Sequence, residues 1–418
     1  MHKEYSSYII AILATIVRYY DYALFGLSAS VISKTFMPGA DDSDQMLLFF
    51  AVFSLAVIAR PLGSVVYGKI GDRAGRIVSM KLSTIIAAIS TGVIALIPGF
   101  ASWGALSVVL LTLCRMMFLM SLAGEIDAIK IFVAEKIGKK RRNFAIGIVA
   151  FSSQLGVILA SFMYHISISI EGIESLWRLN FVLGALLGGI VIMFRGYLKE
   201  SQAFLDSKYR RSPEVNSSVI DLIIENRLKF FLSMIANGML GGGYHFLIIF
   251  LGTFASNVAD VITKSQAASS NVILIALYAI GCFISGYLAD KTTAAKQILF
   301  ALSLTIACAI IMEFLITQGG FSFSLHRVLV FLVPFYSVPC TVKLQSLFPM
   351  AIRMRMYSLS HSIGSMVFSS TAPFVCMLIW RQTGMFSMVL GYFLLQLGIL
   401  FFALVYIGRK EYSNFFEI

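Results

Sequence analysis

An all-α, polytopic membrane fold follows from three features of this sequence. The 418 residues are 58% hydrophobic and 13% charged, with a mean hydropathy of +0.86, whereas an average soluble domain is about a quarter charged. Apolar runs of about 20 residues, the length that crosses the hydrocarbon core as a helix, recur from Tyr8 almost to the end of the chain. The runs are long and uniformly apolar rather than alternating, which excludes barrel strands, so their backbone groups must be satisfied within helices.

Bounded by charged or Pro/Gly-rich breaks, the runs predict twelve transmembrane helices. Six lie at about 8 to 32, 47 to 68, 78 to 97, 104 to 133, 144 to 166 and 176 to 198. Six more lie at about 229 to 255, 267 to 289, 297 to 317, 326 to 346, 356 to 380 and 384 to 407. The longest polar stretch begins at Lys199 and holds Lys208, Arg210, Arg211, Pro213 and Glu214 midway along the chain. The expected organisation is a six-helix half at 1–198, a linker at 199–228 and a second six-helix half at 229–418. The first run is too long for a signal-peptide core and shows no small-residue cleavage site, so the first helix is expected to stay in the mature protein.

The formal net charge of +12 sits in short loops rather than on one face, which argues against a nucleic-acid partner. Arg73, Arg76 and Lys81, then Lys136, Lys139, Lys140, Arg141 and Arg142, then Lys208, Arg210 and Arg211, then Lys291 and Lys296, then Arg353 and Arg355 occupy alternate loops. The positive-inside rule makes those loops cytoplasmic. The intervening loops are shorter or acidic, with Asp41, Asp42 and Asp44 in one and Glu171 and Glu174 in another. Both termini and the linker are then expected in the cytoplasm, and the protein in the inner membrane. The five cysteines lie inside apolar runs with no C-x-x-C pair or histidine cluster, so they read as buried thiols, and no metal or cofactor is expected. The sequence has neither a G-x-x-x-x-G-K-[ST] phosphate loop nor an H-E-x-x-H metal motif, and no enzymatic activity is expected.

Internal repetition adds a second layer. Gly68-Lys-Ile-Gly-Asp72-Arg73-Ala-Gly75-Arg76 follows the second predicted helix, and Gly286-Tyr-Leu-Ala-Asp290-Lys291 follows the second helix of the other half. A glycine and an aspartate at the same rank point to related halves. The first segment resembles the signature loop between helices 2 and 3 of the major facilitator superfamily, and the twelve-helix layout fits that superfamily. Gly68, Gly71 and Gly75 are expected to permit a tight turn there, and Asp72, Arg73 and Arg76 to make charge-assisted contacts with neighbouring helix ends. The resemblance implies that this loop latches one half to the other, with Asp290 in the degenerate copy.

Arg60-Pro61-Leu62-Gly63, Trp177-Arg178, Glu200-Ser201 with Phe204, and Leu347-Phe348-Pro349 followed by Arg353 narrow the resemblance. They look like the metabolite:proton symporter family, which includes proline/betaine, dicarboxylate and aromatic-acid carriers. The resemblance runs from about Tyr19 to Pro373, with departures at Arg18, where the family has Glu, and at Ser346, which commonly is Glu.

Charges inside membrane helices cost several kcal/mol unless paired or hydrated, so they are the site candidates. Asp21 lies near the middle of helix 1, with Arg18 at i−3 on the same face. Arg115, Glu125, Asp127 and Lys130 follow one another along helix 4. The family pattern of Arg and then Gly-Gly-Glu matches Arg115 and Gly124-Glu125, with Ala123 replacing one glycine. The resemblance implies that helices 1, 4, 7 and 10 line a central cavity, which would turn the acids towards water and substrate. Asp21, Glu125 and Asp127 are therefore the proton-coupling candidates, and Arg18, Tyr22 and Arg115 candidates for holding substrate. The competing reading is a set of structural ion pairs that tether helices. Helix 7 carries Gly238, Gly241, Gly242 and Gly243 before Tyr244 and His245, a cluster that permits a bend or an unwound turn and makes those two residues candidate ligands. Gly238 with Gly242, and Gly184 with Gly188, also have the small-xxx-small spacing of close helix packing.

The expected function is import of a small polar solute by proton symport through alternating access of the two halves. Proton-coupled export or exchange uses the same charges, and a transporter-like sensor is a third reading, for which the tail from about Gly408 is short for an output domain. The arginines suit a carboxylate, the tyrosines a quaternary ammonium group, and a zwitterion such as proline or betaine would use both. The expected partners are the solute, a proton and the bilayer, with the protein acting as a monomer.

Overall fold

The computed structural model describes residues 2–38, 42–170, 176–209, 217–257 and 262–409. All regular elements among them are helical: α1 (His2–Leu27), α2 (Ala29–Phe36), α3 (Asp42–Val57), α4 (Ala59–Arg73), α5 (Arg76–Leu96), α6 (Phe100–Trp103), α7 (Ala105–Ile137), α8 (Arg142–Ser169), α9 (Trp177–Arg195) and α10 (Gln202–Tyr209). They continue as α11 (Val219–Glu225), α12 (Arg227–Tyr244), α13 (Leu251–Asn257), α14 (Lys264–Lys291), α15 (Ala294–Thr317), α16 (Phe323–Ser346), α17 (Arg353–Gly364), α18 (Ala372–Thr383) and α19 (Phe386–Arg409). Among the described residues, 11 helical stretches are long and apolar enough to cross a membrane. Asp41, Glu171, Glu174, Arg210, Arg211, Pro213 and Glu214 lie outside the described residues.

The second predicted helix is two shorter ones, α3 and α4, broken at Ile58. Pro61 has no N–H for the Val57 carbonyl and its ring crowds that group, which ends α3 there. The first predicted helix likewise breaks at Ser28, between α1 and α2. Helices 7 and 11 are each interrupted by a π-helical turn, at His245–Phe250 and Ser365–Ser369. Inside α16, Pro339 deprives the Phe335 carbonyl of its helical donor, and Gln297 Nε2 supplies a hydrogen bond to it at 3.0 Å. All five cysteines are buried free thiols.

The contacts gather into two units. The first holds Met1–Lys136, Ser152–Val219 and Met350–Leu359. Tyr20, Phe25, Phe36, Phe49, Trp177 and Phe181 form an aromatic core within it. In this unit α5 and α9 meet through small residues: a Cβ at Gly92 would lie 3.2 Å from Ala185 Cβ, and one at Gly188 2.9 Å from Ala88 Cβ. Helices in lipid approach this closely through small side chains because dispersion and polar contacts, not water exclusion, hold them together. Arg178 donates to the Ala95 and Ile97 carbonyls at 2.7 and 2.8 Å, so it caps the C-terminal end of α5 while lying against the Phe36 and Trp177 rings.

The second unit holds Ile137–Phe151, Ile220–Pro349 and Ser360–Ile418. Its α8 segment packs backbone to backbone on α14: a Cβ at Gly147 would lie 2.6 Å from the Cys282 carbonyl, and one at Gly286 2.6 Å from that of Asn143. Phe144 and Phe151 seal the same contact against the Phe283 edge. Phe246 stacks on Phe393 at 4.7 Å and joins the π-helical stretch of helix 7 to α19.

Candidate functional site

In the first unit five ionisable side chains from α1, α7 and α9 form one buried cluster. Glu125 lies at its centre with both carboxylate oxygens occupied. Arg18 reaches Oε2 through Nε at 2.8 Å and Nη2 at 2.6 Å, and Arg195 reaches Oε1 through Nη2 at 2.5 Å. Arg195 also donates to the Met80 carbonyl and to Thr84 Oγ1 of α5. The other side of Arg18 faces Asp21, whose Oδ2 lies 3.7 Å from Nη1. Arg115 lies over Phe25 at 4.2 Å, Phe118 at 5.1 Å and Tyr22 at 5.6 Å, and Arg18 shares the Phe118 ring. Three aromatic faces thus hold the Arg115 fork in place.

Asp21 and Glu125 show 1% and 0% of their side chains to solvent. The expectation that both acids face water gives way here to mutual compensation inside the bundle: the charges are taken out of solvent and balanced by fixed guanidiniums. Arg195 is a member that sequence reasoning missed. It closes an apolar run, where a basic residue normally marks the cytoplasmic end, yet it is 1% exposed. Its position inside the run, before the Lys199–Glu200 boundary, is the signal that singles it out.

Asp127 belongs elsewhere. Its Oδ2 accepts from Ser358 Oγ at 2.8 Å, and Ser64 Oγ donates to the Ser358 carbonyl at 3.0 Å.

The predicted loop around Asp72 is mostly helix. Gly68 and Gly71 lie within α4, and only Gly75 has a positive φ, of 119°. The first two glycines serve close approach rather than a turn. A Cβ at Gly68 would lie 2.8 Å from Arg355 Cα, and one at Gly71 would strike Met354 Sδ. That approach brings the start of α17 onto Asp72, which accepts from Met354 N at 3.2 Å and Arg355 N at 3.0 Å. Arg76 donates to Asp72 at 2.9 Å, to the Met350 carbonyl at 2.9 Å and to Glu135 at 3.4 Å. Arg353 adds a second cation 3.5 Å from Glu135. Arg73, grouped with Asp72 and Arg76 by the motif, is exposed, whereas Arg76 is buried against Asp72. Glu200 accepts from Ile77 N at 2.7 Å and caps the start of α5. Burial pushes the Glu200 carboxyl up, and the Ile77 N–H and Arg76 pull against it.

In the second unit Asp290 takes the equivalent place. It accepts from Asn143 N at 3.0 Å, Asn143 Nδ2 at 2.9 Å and Phe144 N at 2.8 Å, at the start of α8. The same unit brings the two π-helical turns together: His245 Nδ1 lies 3.0 Å from the Gly241 carbonyl and 2.8 Å from Ser369 Oγ. His326, another side chain not singled out from sequence, donates from Nε2 to the Leu247 carbonyl at 2.7 Å inside the first of those turns. Such turns leave carbonyls out of the α-helical ladder, and a side-chain donor keeps them satisfied in lipid. Tyr244 packs edge-on against Tyr278 at 5.0 Å. His245 and Tyr244 belong to the second unit and the Arg18–Glu125 cluster to the first.

The family model described as Sugar (and other) transporter matches residues 7–222. The proline/betaine transporter of Salmonella typhimurium is 35% identical over 198 residues, 46% of this chain and 40% of that protein. The chain thus matches less than half the length of that relative. A putative proline/betaine transporter of Staphylococcus aureus is 26% identical over 378 residues, 88% of this chain and 80% of that one. Among solved structures, the major facilitator superfamily proton:xylose symporter XylE aligns with a TM-score of 0.77 at 16% identity, covering 97% of this chain and 95% of that one. The major facilitator superfamily transporter FucP aligns at 0.73 and 13% identity, over 97% and 100% of the two chains. With a family-model match over more than half of its length, the chain belongs to the sugar (and other) transporter family, a family of transporters and not of enzymes; its fold is that of major facilitator superfamily transporters, and it is similar to proline/betaine transporters.

Proposed function

We propose that this membrane protein is a secondary carrier that imports a small carboxylate-bearing solute, a zwitterion such as proline or betaine, by proton symport, with Asp21 taking and releasing the proton. The observation that carries this reading is the contrast between the two buried acids. Glu125 is gripped through both oxygens at 2.5 to 2.8 Å, whereas Asp21 approaches its arginine only to 3.7 Å. A carboxylate that must change protonation needs a contact it can give up, and Glu125 has none. Glu125 serves as the fixed counter-ion.

The charge count supplies the coupling. Arg18, Arg115 and Arg195 against Asp21 and Glu125 leave the cluster one positive charge in surplus, and a proton on Asp21 leaves two. Each proton bound strengthens the pull on a substrate carboxylate at Arg115, and by linkage a bound carboxylate favours the proton. The names of the related transporters support a zwitterion over a plain organic acid. In this reading the two six-helix halves, 1–198 and 229–418, rock about the linker in the inner membrane, with both termini in the cytoplasm and the protein working as a monomer. The Asp72 and Asp290 corners act as the latches.

Proteoliposome uptake of labelled proline and glycine betaine, with and without an imposed proton gradient, tests this. Asp21→Asn keeps the side-chain volume but removes the titrating proton, so counterflow exchange should survive while accumulation against a gradient is lost. An Asp21→Asn carrier that still accumulates either solute to the parental level overturns the coupling role.

A further inference from the structure

We infer that Gly184 of α9 is a positioning residue for the coupling carboxylate: it forms the notch that keeps Asp21 out of direct hydrogen-bonding range of Arg18. The inference rests on the coupling role proposed for Asp21. A Cβ at position 184 would overlap Asp21 Oδ1, with Thr91 Cγ2 of α5 3.3 Å from the same point. Gly188, one turn further along the same helix, meets only Ala88 of α5. The Gly184 and Gly188 pair therefore divides its work. Gly188 lets α5 and α9 close up, and Gly184 makes room for a carboxylate arriving from a third helix.

The geometry around Asp21 gives the notch its consequence. Oδ1 rests in the notch while Oδ2 faces Arg18 Nη1 at 3.7 Å. The other groups acting on this carboxylate are Tyr20 and Arg18 on α1, Arg115 and Glu125 on α7, and Thr91 on α5. A guanidinium at hydrogen-bond distance, placed as Arg18 and Arg195 are on Glu125, would favour the charged carboxylate, and the carrier would have two tightly held acids and no mobile proton. Backing Asp21 into the α9 notch maintains the longer separation. A methyl group at 184 pushes the carboxylate back across α1 towards Arg18 and tightens the pair.

Uptake of labelled proline and glycine betaine by proteoliposomes across a series of external pH values, with Gly184→Ala, Gly188→Ala and Asp21→Asn side by side, tests the inference. For Gly184→Ala the pH of half-maximal uptake should move to the acid side by about one unit and accumulation should fall about tenfold, with counterflow largely kept. Gly188→Ala should leave the pH profile where it is. If Gly184→Ala inserts poorly, the double variant Asp21→Ala/Gly184→Ala should recover the parental yield, because the overlapping carboxylate is gone. A parental pH profile for Gly184→Ala beside an Asp21→Asn that fails to accumulate overturns the positioning role and leaves the coupling role standing. An Asp21→Asn that accumulates overturns both.

Discussion

Two corners of the molecule use the same device with different surroundings. At one, Gly68 and Asp72 sit four residues apart on α4; at the other, Gly286 and Asp290 sit four residues apart on α14. Spacing of i,i+4 puts both members on one helix face. The glycine lets another helix start come into backbone contact, and the aspartate one turn on accepts from that helix's first N–H groups, Met354 and Arg355 in one case and Asn143 and Phe144 in the other. Each aspartate is an N-cap supplied by a second helix, favoured by the unpaired donors and the dipole of the end it covers. The difference lies four residues further along. Arg76 opens α5 in the first corner, and Ala294 opens α15 in the second. The first corner thereby gains Glu135, Arg353 and a buried ion network, and the second makes do with neutral donors. The cap is the shared element of the repeat, and the ions are an addition to one copy.

Removing the addition has the largest expected effect. Arg76→Ala turns the first corner into a copy of the second, but it leaves Glu135, 2% exposed at its side chain, with the more exposed Arg353 as its remaining cation and Ser201 Oγ, at 3.3 Å, as a neutral donor. Breaking a buried pair by deleting one partner costs about 3–5 kcal/mol. The thermal midpoint of the purified variant in detergent should drop accordingly. A midpoint equal to that of the parent would mean that the ion network adds no stability to the shared cap and that the two corners are energetically alike.

The glycines should behave alike in the two copies. Gly68→Ala brings a methyl group against Arg355 Cα at 2.8 Å, and Gly286→Ala brings one against the Asn143 carbonyl at 2.6 Å and Phe144 Cα at 2.9 Å. Both obstacles are backbone, so neither can rotate away, and overpacking of this kind costs about 1–3 kcal/mol. Equal losses of midpoint would confirm that close approach is the common requirement. A loss confined to Gly68→Ala would show that the second corner is loose enough to part.

Much of this was legible from the residues. The membrane-spanning pattern, the Gly-x-x-x-Asp repetition and the Arg18–Asp21 pairing at i,i+3 are periodic features of single helices, and each reappears in the structure. What stayed hidden depends on which helices meet. Arg195 and Glu135 sit near helix ends, where charge normally reads as solvated, and their burial is created by neighbours distant in the chain. Glycine counting placed an irregularity at 238–243, but that stretch remains α-helical because its glycines are occupied by packing, Gly238 against the Gly364 carbonyl and Gly242 against Gln396. The π-helical turn comes next, from His245, where large side chains return. Gly184 was readable only as a packing residue, since nothing local announces a carboxylate arriving from α1.

The smallest effect sharpens the comparison most. Among the described residues Asn143 is the second corner's only side-chain donor to Asp290, through Nδ2 at 2.9 Å, while its own N–H and that of Phe144 are backbone donors that no substitution other than proline removes. Asn143→Ala therefore deletes one neutral-donor bond to a charged acceptor in a half-buried site, where solvent can replace it, and should cost about 1 kcal/mol or less. Asn143→Asp keeps the size but sets a second carboxylate beside Asp290 at the same helix start, so it should cost more than the alanine variant, and the excess should shrink as salt is raised. If instead Asn143→Ala lowers the midpoint as far as Arg76→Ala does, the backbone caps are not sufficient by themselves. Asn143 would then be the second corner's counterpart of Arg76, and the two copies would differ in the chemistry of their added donor rather than in having one.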